Sequence, residues 1–410
     1  MAEYIFKDDY EVLADPHLKL VVWNLIKHGF IKGNILVEPV GQKSAHVKRF
    51  IYEEEDGTTF KMIGKFAPVA DELRKNTINL FNNEMVMYNL VLLKLNDIQN
   101  SEENSEKIRF PACYGILTEA PYEFTLLEDL KEARFEMLDR RSPLTNESVR
   151  LVVKNLAKYH SLCYVFKNSE PEIYENYLNK LSNVWAIMFA EAETEQFLES
   201  SVNDLLEIMH DESDKYKNVL NRTLTQVAST IKKIESYEKD SKYSVIQQGD
   251  CWTKNIMFIL QDGKPVDDVM IDYQLARESS PASDLLYLIL NSTDHATRLK
   301  HYHEWIDYYH ENLDYSLNLH GLKAESIFPK DQLDTDLRIY GELMVSLSVM
   351  LSTILVRESK DDVDIQEFTR EDGVTGDEMT QDTLLDISTI VQLREKIMGI
   401  IDTALEFGLI

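Results

Sequence analysis

The spacing of apolar positions changes along the chain, and the change divides it in two. From about Pro16 to Gly29, residues Leu18, Leu20, Val21, Val22, Trp23, Leu25 and Ile26 recur close to helical spacing and predict an amphipathic helix. Between Ile35 and Pro68 the pattern shortens to β-branched and aromatic runs, NILVEPV, HVKRFIYEEE and TTFKMIGKFAP, with Asp56-Gly57 as a turn between the last two. An antiparallel hairpin or small sheet is expected there. Helical spacing returns from about Asn76 to Leu95, where Phe81, Met85, Tyr88 and Leu92 fall four, three and four residues apart. The polar run NDIQNSEENSEK then reads as a loop, and two more strands are expected at about Arg109 to Leu117 and Tyr122 to Leu127.

Beyond that point most of the pattern is helical. Helices are expected over about Asn146–Lys167, Asn183–Met209, Tyr216–Lys239, Ser283–Asn291, Ala296–Asn312, Asp331–Val356 and Leu384–Phe407, with one β island at Tyr243–Gln274. The class is therefore α+β, a mixed N-terminal part followed by a mostly helical C-terminal part. No repeat of solenoid period is present.

Composition narrows the function. The 410 residues carry 71 Asp and Glu against 43 Lys and Arg, a formal net charge of −28, with no long basic block. A surface that follows nucleic-acid phosphates or an anionic membrane needs the opposite balance, so neither partner is expected. At 44% hydrophobic residues the chain can bury a substantial core. The three cysteines, Cys113, Cys163 and Cys251, are widely spaced and odd in number, which suits a reducing compartment better than a disulfide framework. The opening MAEYIFKDDY lacks the basic and apolar regions of a signal peptide. The most apolar late stretch, Leu343 to Val356, is too short to span a bilayer and reads as a buried helix. A cytoplasmic monomer is the expectation. The acid-rich stretch from Glu358 to Asp382 reads as a solvated loop.

Chemistry concentrates between Val245 and Ile289. Asp250 precedes Asn255 by five residues; an apolar strand, Ile256 to Leu260, then leads through the turn Asp262-Gly263 to a second strand, Val269 to Ile271, and to Asp272. Such a hairpin brings Asn255 and Asp272 to one end of paired strands, with Asp250 on the loop ahead of them. These hard oxygen donors suit Mg²⁺, which takes one or two carboxylates together with phosphate oxygens and water. Phosphoryl transfer needs this set: an Asp to receive or orient the acceptor proton, and an Asn and an Asp to hold the metal. Upstream, Lys65 in a strand and Glu84 on the following helix supply a cation for the phosphates and a carboxylate to hold that cation. With ATP approaching so acidic a chain, Lys65 and Mg²⁺ are required to offset the repulsion.

The segments QGDCWTKNIMF and IDYQLARESSPASDLLYL resemble the catalytic and metal-binding segments of the ecdysteroid-kinase-like family, also called the CHK-kinase-like group, relatives of choline and aminoglycoside kinases. FNNEMVMY, TLLEDL and LAKYHSL follow the family's order. The resemblance implies a bilobal protein-kinase-like fold, with an N-terminal lobe at 1–130 and a C-terminal lobe at 131–410. It implies Asp250 as catalytic base, Asn255 and Asp272 as metal ligands, and Lys65, partnered by Glu84, on the ATP phosphates. Leu127 to Leu130, including Glu128 and Leu130, takes the place of the interlobe hinge that meets adenine, and GQKSAHVKRF from Gly41 that of the phosphate-covering loop. Asp284 resembles a structural support of the catalytic loop and also reads as a helix N-terminal acid. Gln248 stands where the family usually has His; Gln can still donate and accept hydrogen bonds, so activity is expected to survive. Trp252, Tyr273 and His160 read as packing residues.

The implied activity is transfer of the ATP γ-phosphoryl group, with Mg²⁺, to a hydroxyl of a small molecule, most directly an ecdysteroid or related steroid alcohol. Only 13 residues run from Asp272 to Asp284, which leaves no room for the long activation loop of a protein-directed kinase. Two alternatives stand beside it: a kinase fold that binds a ligand without catalysis, and a choline- or aminoglycoside-type kinase.

Overall fold

The computed structural model describes residues 34–39, 47–53, 57–68, 71–101, 106–190, 192–239, 241–355 and 387–410. The helix expected at Pro16–Gly29, most of the Gly41 segment and the acidic stretch Glu358–Asp382 lie outside them.

Five strands form one antiparallel sheet in the order β1-β2-β3-β5-β4: Asn34–Pro39, Val47–Glu53, Thr59–Phe66, Phe124–Glu128 and Cys113–Leu117, the last being β4. Successive residues of β3 alternate faces, so Met62 and Phe66 join Phe50 and Phe124 in the sheet's own core. Lys65 therefore lies on the opposite face, paired in register with Val47 and Thr125. Helix α1, Asp71–Val86, follows β3 and continues through a π-helical turn, Met87–Val91, into α2, Leu92–Asn100. The expected helix from Asn76 is thus present and longer at both ends.

The remainder is mostly helical and surrounds α3, Asn146–Ser169, which starts where the Thr145 side chain caps the Ser148 amide. Short helices α4, Pro171–Leu178, and α5, Val184–Met188, lead to α6, Ala192–Ile208, α7, Asp214–Thr225, and α8, Val227–Glu238. The two long helices expected over Asn183–Met209 and Tyr216–Lys239 are each divided, the second at Gln226, whose φ and ψ of −102° and 1° leave the helical basin. Helix α9, Pro281–Ser292, is buried along its whole length and packs on α12. Helix α10, His295–Leu319, runs against α3; α11, Ala324–Ile327, is short; α12, Lys330–Leu355, contains most of the apolar stretch from Leu343; and α13, Ile387–Glu406, packs on α12. No helix among the described residues is long and apolar enough to cross a membrane.

Between these helices lies the β island. Strands β8, Ile256–Gln261, and β9, Lys264–Met270, form a hairpin with short β6, Glu136–Met137, on its edge. Asp262 and Gly263 have φ of 53° and 74°, the pair of left-handed residues that a two-residue hairpin turn needs. Strand β7, Val245–Ile246, pairs separately with β10, Glu278–Ser279. A small sheet with its helix and a larger helical body give the bilobal α+β architecture expected from the sequence.

Candidate active site

The β8–β9 hairpin fixes the register of the site. Ile256 pairs with Met270, and the Ile271 amide donates to the Asn255 carbonyl at 2.9 Å, so Asn255 and Asp272 meet at one end of the hairpin. Asn255 closes a 3-10 turn, Thr253–Asn255, and its side-chain amide donates to Asp250 Oδ2 at 2.7 Å and to the Asp250 carbonyl at 3.1 Å. One oxygen of Asp250 is thereby held. The other, Oδ1, is buried and makes no direct hydrogen bond among the described residues, though the Tyr287 hydroxyl stands close enough to the carboxyl to favour its charged form. Burial, and secondarily the Asp272 charge, pushes the Asp250 carboxyl up to about 7, against the opposing Tyr287 hydroxyl and Asn255 amide.

Lys65 Nζ donates to Glu84 Oε1 at 2.6 Å and reaches Asp272 Oδ1 at 3.4 Å, so the two lobes meet at one ammonium group. Burial alone would lower the Lys65 pKa; the Asp272 and Glu84 carboxylates together outweigh it and raise it. Glu84 is buried, and desolvation pushes its carboxyl up to about 7 even though Lys65 opposes the shift. The Tyr273 backbone amide also bonds Glu84, and the Tyr273 ring stands edge-on to Tyr88 at 5.7 Å, which ties both α1 and the π-helical turn after it to the Asp272 segment.

The backbone of the Asp250 loop is held from below. Asp284, in the first turn of α9, accepts from the Gln248 and Gly249 amides at 2.8 and 2.9 Å. His160 Nε2 lies 3.1 Å from Asp284 Oδ2, with Tyr309 on its other nitrogen at 2.8 Å. Gln248 donates its side-chain amide to the carbonyls of Ile271 and Asp272, both at 2.9 Å, while its Oε1 accepts from the Asp250 amide at 2.7 Å. Gly249 has φ of +88°, and a Cβ there would lie 2.2 Å from the Leu275 carbonyl oxygen. Trp252 and Tyr273 are buried packing residues.

Asn255 and Asp272 offer hard oxygen donors on a partly open edge, Asp272 being 24% exposed in its side chain. Among the described residues Lys65 is the cation in contact with both Glu84 and Asp272, and the Asp272 charge adds to burial in raising the Asp250 carboxyl, with Lys254 opposing. This charge balance fits a divalent cation, with further ligands from phosphate and water. Among the described residues no group of three or more His, Cys, Asp or Glu side chains is arranged to hold a metal unaided.

Glu128 ends β5. Its amide donates to the Ala112 carbonyl at 2.8 Å, and its carboxylate pairs with Arg109. Leu130 is buried against Phe135, Met257 and Val269. Between them Asp129 pairs with Arg49 of β2 at 2.5 Å. The structure thus brings together Lys65, Glu84, Asp250, Asn255 and Asp272, with Gln248 and Asp284 beneath them, and places Glu128 and Leu130 on the strand end and turn that join the sheet to the helical body.

One residue of this assembly has no sequence signal. Asn83, fully buried on α1, donates to the Ser182, Gln274 and Ala276 carbonyls at 2.9, 3.1 and 3.2 Å and accepts from the Ser182 amide at 2.8 Å. Its partners lie 99 to 193 residues away, so no local spacing announces them.

No curated protein sequence matches the chain. Among solved structures it is similar to the GDP complex of an aminoglycoside 2'-phosphotransferase-IIIa, at 12% identity over 94% of this chain and 99% of that one, TM-score 0.44. It is also similar to an ethanolamine kinase of Plasmodium vivax, at 13% identity over 89% and 81%, TM-score 0.40. A third is an amicoumacin kinase in complex with AMP-PNP, Ca²⁺ and its ligand, at 11% identity over 96% of each chain, TM-score 0.43. The family description "Ecdysteroid kinase-like family" matches residues 46–322, which include every residue of the site just described. Spanning more than half of the chain, that match means that the protein belongs to the ecdysteroid kinase-like family.

Proposed function

We propose that this chain transfers the γ-phosphoryl group of ATP to a hydroxyl of a small molecule, with Asp250 as the base. Kinase-family membership sets the reaction class. The observation that carries the assignment of the base is the Asp250 carboxylate, one oxygen held by the Asn255 amide and the other without a direct hydrogen bond among the described residues, with the Tyr287 hydroxyl beside the carboxyl. An acceptor hydroxyl donating to Oδ1 satisfies that atom and sets its own oxygen for in-line attack. Lys65, held by Glu84, binds and orients the nucleotide phosphates. Asn255 and Asp272 would hold Mg²⁺, which supplies neutralisation of the charge that develops on the phosphoryl oxygens. Gln248 and Asp284 keep the Asp250 and Asp272 segments at fixed separation. The division into lobes at 1–130 and 131–410, with Glu128 to Leu130 at the hinge against adenine, belongs to the same proposal.

The acceptor class we propose is a steroid alcohol of ecdysteroid type, acted on by a cytoplasmic monomer. The three free thiols fit a reducing compartment. A cleft beside Gly249 and Asp284 has an apolar side, Ile231, Ile234, Leu343, Met344 and Leu347, and a polar rim that includes Glu235 and Arg277; the apolar side supports a rigid apolar body with a polar group, as in a steroid alcohol. Its volume of about 20 Å³ admits roughly one water, so an acceptor must part those walls. The test is incubation of the protein with ATP, Mg²⁺ and a panel of steroid alcohols, amino alcohols and aminoglycosides, with products read by mass spectrometry. Phosphorylation confined to the amino alcohols or aminoglycosides would replace the steroid reading with the choline/aminoglycoside one; binding without any phosphorylated product would leave a ligand-binding protein.

A further inference from the structure

Three pieces of chain, α1 itself among them, meet next to Glu84. Asn83 binds the Ser182 segment through both its donor and its acceptor, and binds the Gln274–Ala276 turn that follows Asp272. A small apolar cluster joins the same three pieces: Leu80 of α1, Val184 of α5 and Leu275 of the turn, with Trp185 and Met188 against it. Leu275 in turn abuts Gly249 of the catalytic loop. Asn183 and Trp185, from the tethered segment, line the cleft beside Gly249.

We propose that Asn83 is a positioning residue that couples the acceptor-side wall, Ser182–Met188, to the nucleotide-side residues Glu84 and Asp272. The proposal rests on the phosphotransferase reading of the site. Two physical points support it. A buried amide with four backbone bonds has no alternative partners, so displacement of Ser182 must either move α1 or leave buried carbonyls unpaired. The cleft is also too narrow for an acceptor as it stands, and Asn183 and Trp185 of the segment that Asn83 holds form part of its wall, so an acceptor that widens it on that side displaces that segment. Nucleotide bound at Lys65 draws α1 and the Asp272 segment together and stiffens Ser182–Met188 through the same amide. Acceptor entry loosens that link in the reverse direction.

The experiment is hydrogen exchange read by mass spectrometry on the full chain, with and without Mg²⁺ and AMP-PNP. In the wild type, the nucleotide is expected to slow exchange in peptides of β3, of the Asp272 segment and of 182–189, the last by about tenfold. Asn83→Asp keeps the acceptor oxygen and removes the donors; it is expected to retain nucleotide protection at β3 and lose it at 182–189. If Asn83→Asp does not fold, Val184→Ala loosens the same junction from its apolar side and is expected to give the same selective loss. Protection at β3 and Asp272 without any at 182–189 in the wild type, or unaltered protection there in the folded variant, overturns the coupling and leaves the kinase reading intact. No protection anywhere overturns both.

Discussion

The side-chain amide of Gln248 donates to the backbone carbonyl of Asp272 at 2.9 Å while its Oε1 accepts from the Asp250 amide at 2.7 Å. One residue thus spans the Asp250 and Asp272 segments. The position usually filled by His in this family is occupied here by a side chain with two donors and an acceptor, all in use.

Replacement of Gln248 by Leu is therefore expected to cost about 1–3 kcal/mol of stability, because it leaves a buried amide and two partly buried carbonyls unpaired. Turnover should fall at least tenfold, with a smaller change in KM for ATP. Urea unfolding and steady-state kinetics on the same preparation check both. Wild-type turnover in a folded Gln248→Leu protein would remove this residue from the machinery.

Gly249 and Gly263 separate two costs of left-handed backbone. Both have positive φ, but only Gly249 would place a Cβ against backbone, 2.2 Å from the Leu275 oxygen. Gly263→Ala should cost about 1–2 kcal/mol. Gly249→Ala should cost more than about 3 kcal/mol or prevent folding, since backbone cannot yield as a side-chain tip can. Urea midpoints of the two variants are the measurement.

Asp268, on β9, is a buried carboxyl outside the site. Its Oδ1 accepts from Asn155 at 2.8 Å and its Oδ2 from nothing among the described residues. Burial, and then Asp267, pushes it up to about 7 from an ordinary 3.8, with Asn155, Lys158 and Lys154 opposing. Between those values the folded chain binds a proton that the unfolded chain has lost, so stability falls as pH rises and levels off above about 7. Asp268→Asn is expected to reduce this slope by about one proton and to be more stable than wild type at pH 8, by at most about 4 kcal/mol. Unfolding curves across pH 4 to 8 test it; parallel slopes for the two proteins would contradict it.

Lys65→Met removes the cation shared by Glu84 and Asp272. The account expects kcat/KM for ATP to fall by at least about 100-fold, the scale of losing one preorganised charge at a transferring group. Glu84→Gln keeps a hydrogen-bond acceptor for Lys65 and is expected to fall less. An equal loss for both would mean that charge on Glu84, and not the lysine's position, dominates.

Much of this site was legible in the sequence because its parts are local. Asp250, Asn255 and Asp272 lie on or beside one hairpin whose turn, Asp262-Gly263, and whose apolar strands have short-range signals; the first strand falls within a residue of its expected ends, while the second starts at Lys264, well before the expected Val269, because its polar first half pairs through backbone alone. Lys65 and Glu84 are legible through the chemistry that must accompany the triad, a cation for the phosphates and a carboxylate to hold it. Elements set by tertiary contact were harder to read. The breaks at Gln226 and between α5 and α6 interrupt apolar patterns that continue at helical spacing. Asn83 could not be singled out, since a polar residue on a helix looks solvated until the distant carbonyls of Ser182, Gln274 and Ala276 are in place.

The most direct test of the central claim is single-turnover transfer from γ-labelled ATP, in Mg²⁺, to the acceptor panel and to water, by wild type and by Asp250→Asn. The account predicts transfer by the wild type and a loss of about 10²- to 10⁴-fold in the variant, with AMP-PNP binding unchanged. Equal rates for the two proteins, or no transfer by the wild type to any acceptor or to water, would contradict it.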